Sequence, residues 1–138
     1  MAANRIVLWL SASSGALAEA LALDSQADGL VVDNQHGQFG TDYALSLVAA
    51  AIGKNPKCQL SARISEVGDA EICKFMDAGV SVLIAPMINS KEQCLRFVSA
   101  CRYPPLGVRS FGPYRQKSMI AGGFTLAAAN ALAEPLAM

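Results

Sequence analysis

Short runs of branched and apolar residues recur along the chain, with amphipathic segments between them. Ile6–Leu10, Leu30–Val32, Gln59–Ile64 and Val80–Ala85 read as strands. Ala16–Leu23, Tyr43–Ile52, Ala70–Ala78 and Lys91–Cys101 carry apolar residues at helical spacing. This alternation predicts βα units around a parallel sheet, whose strands look apolar throughout because both faces are covered. Gly79 stands where a helix C-cap belongs, and Ser90 with Gln93 has the form of a capping box.

The pattern stops after Cys101 for a proline- and glycine-rich stretch, Arg102 to Arg115. Its three arginines and three aromatics predict an ordered binding loop. Helical composition resumes from Phe124 to Ala133, and Pro135–Met138 reads as the entry to a fifth strand that is not completed. A flavodoxin-like domain would fit the length, but it needs a finished fifth strand and a closing helix. An eight-unit barrel needs about 250 residues. The expected class is therefore α/β: the N-terminal half of a (β/α)8 TIM barrel, about four βα units plus the start of strand five. Residues 1–138 form one partial domain in this reading, cut short at its C-terminus.

Composition narrows the function classes. An apolar share of 53% excludes disorder, and eleven basic residues cancel eleven acidic ones without any like-charge block. Neither nucleic acid nor a membrane surface is an expected partner. The run Ile6–Leu10 is shorter than a signal-peptide core, and no stretch approaches the ~18 apolar residues of a membrane span. The four cysteines fit neither a CxxC pair nor a zinc site and read as reduced core thiols, with Cys94 and Cys101 on one helical face. A soluble, cytoplasmic protein is expected. Gly122-Gly123 lacks the context of a phosphate-binding loop.

Two strand ends could carry chemistry. Val31-Val32-Asp33-Asn34-Gln35-His36-Gly37 delivers the chain's single histidine to the C-terminal rim of the sheet, where this fold class builds its sites. Asp33 could hold one ring nitrogen of His36, leaving the other to move a proton. Alternatively, Asp33 caps a turn and His36 faces solvent. Arg63 closes the third apolar run, and its guanidinium could clamp a substrate carboxylate. A rim salt bridge to Glu66 or Asp69 is the other reading. Pro86 and Met87, after the fourth run, could shape a small-molecule pocket or simply pack.

Taken in order, these segments resemble the HpcH/HpaI aldolase family, grouped with citrate lyase beta-like proteins. The resemblance runs from Val7 to Met138 through Leu8-Trp9-Leu10, Asp33-Asn34-Gln35-His36-Gly37, Arg63, Asp77-Ala78-Gly79 and Ala85-Pro86-Met87. Its most specific part is the segment from Cys101 to Pro113, which begins Cys101-Arg102-Tyr103-Pro104-Pro105. It implies a metal-dependent aldolase that cleaves 4-hydroxy-2-oxo acids to pyruvate and an aldehyde. His36 would be the general acid/base oriented by Asp33. Arg63 would hold pyruvate and its enolate, with Gln35, Pro86 and Met87 lining the substrate pocket.

A divalent ion such as Mg²⁺, Mn²⁺ or Co²⁺ is implied as cofactor. The family's carboxylate ligands would lie beyond Met138, so no metal ligand is assigned here and the chain alone is expected to be inactive. Ser65 stands where many relatives have proline, and Gln35 where many have glutamate. Two other classes stay open: a metal-free 2-oxo-acid binding or regulatory half-barrel, and a self-assembling structural α/β module. Unpaired strand edges would make either form a homo-oligomer.

Overall fold

The computed structural model describes residues 5–24, 26–113, 115, 125–132 and 134–137. Strands and helices alternate as β1 (Val7–Leu10), α1 (Gly15–Leu23), β2 (Gly29–Asp33), α2 (Thr41–Ala51), β3 (Gln59–Arg63), α3 (Asp69–Asp77), β4 (Val82–Ala85) and α4 (Lys91–Cys101). A short helix α5 (Leu126–Leu132) and a strand β5 (Glu134–Ala137) follow. All five strands are parallel, in the order β1-β2-β3-β4-β5. A flavodoxin-like sheet would place β2 outside β1 and reverse direction at the switch point, whereas unbroken sequential order is the arc of a (β/α)8 barrel.

The fifth strand falls where the sequence reading places its start, and begins one residue earlier. Glu134–Ala137 is paired residue for residue with Val82–Ala85, so the strand is formed and not merely entered. Backbone register with β4 makes it a strand; its Glu-Pro start carries no apolar signal.

Helix ends follow local hydrogen bonding. The Leu17 N–H donates to Ser14 Oγ at 3.2 Å, which starts α1 one residue earlier than periodicity suggests. At the end of α3, Gly79 N–H donates to Met76 O at 3.1 Å and Val80 N–H to Phe75 O at 3.2 Å. These are the paired bonds of a Schellman motif, and they hold Val80 out of β4. Gly79 sits at φ +100°, in the left-handed region that a side chain disfavours. Ser90 Oγ accepts from Gln93 N–H, while Gln93 Oε1 reaches the N–H of Asn89, one residue before the usual capping-box partner.

Strand alternation divides the molecule into two faces. Leu10, Leu30, Val32, Ala62, Leu83 and Ala85 point toward the helices and merge with Leu47, Val48, Ile72, Phe75 and Phe97 in one core. The opposite face carries a separate small cluster, Val31, Val82 and Ile84, and the half-exposed Trp9. Among the cysteines, Cys101 is buried and Cys94 only half-buried, because Cys94 lies in the first turns of α4, where the helix meets solvent.

The loop after α4 is ordered by groups that face inward. The Arg109 guanidinium pairs with Asp77 and lies 4.5 Å over the Tyr103 ring. Tyr103 N–H donates to Asn130 Oδ1 at 2.7 Å, and Asn130 Nδ2 donates back to Tyr103 O at 3.1 Å. Burial pushes the Asp77 carboxyl up even though Arg109 opposes it. Burial also raises the Cys101 thiol to about 12. In a βα unit the helix C-terminus returns to the N-terminal edge of the sheet, so this brace lies away from the rim where β2 and β3 end. The expected binding loop is thus a structural clasp in its described part; Tyr114 lies outside the described residues. No helix among the described residues is long and apolar enough to cross a membrane.

Gly79→Ala forces a side chain into the left-handed region and should destabilise the fold by about 1–2 kcal/mol. Urea unfolding measures this, and an unchanged midpoint would show that the α3 terminus does not depend on glycine.

Candidate functional site

The parallel register sets Asp33, the last residue of β2, directly beside Arg63, the last residue of β3. Both follow the alternation of Val31 and Ser61 and so face away from the helices. Arg63 Nε donates to Asp33 Oδ1 at 2.9 Å and Nη2 donates to Oδ2 at 2.6 Å, a side-on bidentate pair. The guanidinium carbon lies 4.9 Å from the Trp9 ring centroid, so β1 supplies a cation–π wall. Neither Glu66 nor Asp69 takes Arg63; Asp69 faces Arg96 instead, at 3.8 Å.

Asp33 is only 3% exposed. Burial by itself would raise its carboxyl, but the Arg63 hydrogen bond, the N–H groups of His36 and Gln35, and the Arg63 charge together hold it below the usual carboxylate range. The same pairing raises Arg63 against the opposing cost of its own burial.

Asp33 also shapes the loop that follows it. Its Oδ1 accepts the main-chain N–H of Gln35 at 3.1 Å and of His36 at 3.2 Å. Asp33 therefore meets His36 through the backbone and not through the ring, because its carboxylate is already turned to Arg63. His36 is exposed on the loop and Gln35 is half-buried. Gly37 N–H closes the turn onto Asp33 O at 2.9 Å. A Cβ at Gly37 would collide with that carbonyl and with the Phe39 ring.

Pro86 is buried and Met87 is 72% exposed just beyond β4. Met87 holds φ +56°, with Asn89 Nδ2 donating to its carbonyl at 2.9 Å. Both line a cavity of about 390 Å³ together with Ser65, Glu66, Gln93 and Arg96. Trp9 was missed from sequence, although its position two residues before the helix-facing Leu10's neighbour Ser11, on the strand face opposite Leu8 and Leu10, is the signal that could have found it.

Divalent-metal binding is not supported by the donors present. Both oxygens of Asp33 are engaged by Arg63, and the described residues bring together no cluster of three His, Cys, Asp or Glu side chains.

The fold is that of a βα barrel, a class that builds its sites on the C-terminal ends of the strands. Residues 5–132 match the HpcH/HpaI aldolase/citrate lyase family, and the chain belongs to it. It is 36% identical over 134 residues to the hydroxypyruvate/pyruvate aldolase of Rhizorhabdus wittichii, which covers 94% of this chain and 50% of that protein. It is 37% identical over 111 residues to a 2-keto-3-deoxy-L-rhamnonate aldolase of Salmonella gallinarum, covering 79% of this chain and 40% of the other. Among solved structures, macrophomate synthase superposes with a TM-score of 0.82 at 19% identity, over 96% of this chain and 47% of that one. The chain thus spans about half the length of the curated relatives it matches.

Because the folded Asp33 carboxyl lies below its unfolded value, its stabilisation is fully present above about pH 3.9 and is lost as pH falls through the lower folded value. Trp9 emission should therefore show an acid step below about pH 3.9 that Asp33→Asn abolishes. A step surviving in Asp33→Asn would assign it to another group.

Proposed function

We propose that the Asp33–Arg63 rim holds the carboxylate of a 2-oxo acid and that this chain carries the pyruvate-binding half of an aldolase acting on 4-hydroxy-2-oxo acids. The observation that carries the reading is the use of Arg63's edges. Asp33 takes the Nε/Nη2 side. Nη1 bonds nothing among the described residues, and with the second hydrogen of Nη2 it keeps a planar fork that matches a carboxylate. Trp9 backs the guanidinium; Gln35 follows Asp33 on the rim loop, and Pro86 and Met87 line a cavity beyond β4 that Arg63 and Gln35 do not line.

In the proposed reaction His36 takes the C4 hydroxyl proton of the substrate. The C3–C4 bond then breaks, releasing an aldehyde and leaving the electron pair as pyruvate enolate. Arg63 bears the carboxylate and part of the developing enolate charge, and a proton returned to C3 gives pyruvate. The names of the relatives, pyruvate and keto-acid aldolases, support this substrate class. A cytoplasmic setting and a homo-oligomeric state belong to the same proposal. The latter is favoured by the exposed Ile6, Val7 and Trp9 on and beside β1, which ends the sheet on one side.

Pyruvate titrated against the chain should quench or shift Trp9 emission saturably. Arg63→Lys should weaken this by about tenfold or more, since lysine keeps the charge and loses the fork. His36→Ala should leave pyruvate affinity nearly unchanged, while lowering turnover in the catalytically competent protein by about 10²–10⁴-fold. Unchanged pyruvate affinity in Arg63→Lys would make Arg63 a structural rim residue. Saturable binding with no His36-dependent turnover would favour a 2-oxo-acid binding module. Sedimentation over a concentration series should show self-association; a monomer throughout would remove that part of the proposal.

A further inference from the structure

We infer that Glu71 is a positioning residue for the Asp33–Arg63 rim, acting through Asn34 and Ser65; the inference rests on the 2-oxo-acid reading above. Glu71 lies in the first turn of α3 and gathers donors from both rim loops. Its Oε1 accepts Asn34 Nδ2 and, at 3.2 Å, the N–H of Ser65. Its Oε2 accepts Ser65 Oγ at 2.9 Å and the N–H of Glu66 at 3.4 Å. Asn34 directly follows Asp33, and Ser65 stands two residues after Arg63. One carboxylate therefore fastens the exits of β2 and β3 from behind, and the bond from Asn34 N–H to Arg63 O, 2.9 Å, closes the frame.

The orientation of Asn34 shows which contact governs. Alternation sends this side chain to the helix side of the sheet, where it is 7% exposed and its Nδ2 also donates to Thr41 Oγ1 at 3.0 Å. Only the amide nitrogen can face a carboxylate, so Glu71 fixes which way the amide points. The consequence is that Asn34 Oδ1 is buried without a partner among the described residues. An unsatisfied buried acceptor is costly, and it persists here because the charged contact to Glu71 outweighs it. Glu71 meets Asn34 and the Ser65–Glu66 turn and not Asp33 or Arg63 themselves, so its role is to set their spacing.

Trp9 is the chain's only tryptophan and packs on Arg63, so its emission reports the placement of the guanidinium independently of turnover. Asn34→Asp sets two carboxylates face to face. It should shift Trp9 emission and weaken pyruvate binding by about tenfold or more. Glu71→Gln should change both in the same direction by less. The combined variant again opposes an amide to a carboxylate and should recover affinity to within about threefold of Glu71→Gln alone.

Circular dichroism establishes that each variant is folded. If Asn34→Asp does not fold, Ser65→Ala takes its place, removing one donor from an exposed side chain, and should still shift Trp9 emission. Unchanged emission and affinity in the folded single variants, or a combined variant no better than Asn34→Asp, would overturn the inference. If the wild-type chain binds no pyruvate, the 2-oxo-acid reading fails by itself and the emission arm alone decides the role of Glu71.

Discussion

The in-register pairing of Asp33 with Arg63 is the constraint on which the rim depends. A buried ion pair is weak evidence for net stability, since desolvation of both charges opposes their attraction. Breaking one is another matter: removing Arg63 would leave the Asp33 carboxylate, 3% exposed, without its counter-charge. The pair therefore specifies geometry more than it stabilises the fold. It commits one edge of Arg63, leaves Nη1 without a bond among the described residues, and gives Asp33 the fixed orientation from which it caps the loop holding His36.

Alternation along three strands sorts the rim side chains between the two faces of the sheet. Trp9, Asp33 and Arg63 face away from the helices, while Asn34 faces toward them and meets Glu71. The βα order was legible because each strand is an apolar run bounded by turn residues and each helix has its own period. Sheet order was less so, since local patterns do not say which strand neighbours which. The barrel reading rested on length and resemblance until the order from β1 to β5 decided it. β5 was legible only as an entry at Pro135, because its Glu134-Pro135 start lacks the apolar signal that marked the others.

The site was legible as strand ends and illegible as contacts. Asp33 and Arg63 are thirty residues apart, and nothing local states that they share a register pair. The spacing of Asp33 and His36 suggested a ring contact that the carboxylate, once claimed by Arg63, does not make. Glu71 gave no signal at all, because an acidic residue in a first helical turn is already explained by the helix dipole. The motif-rich stretch around Arg109 misled in the opposite sense. Its arginine and aromatic residues form a buried clasp between Arg109, Asp77 and Tyr103, so part of the dense local patterning there reflects packing constraint.

What remains is the difference in how the two proposed working groups are held. Arg63 is fixed by a bidentate carboxylate and an aromatic face, and the strand behind it is braced by Asn34 and Glu71. Among the described residues, His36 is held at its backbone N–H and its side chain is exposed. A group that recognises a planar anion gains from being immobile, since any freedom must be lost again on binding. A group that moves a proton between a hydroxyl and solvent must turn its ring from one to the other. The same aspartate meets both needs, because its side-chain oxygens orient the guanidinium directly and anchor the histidine only through the main chain.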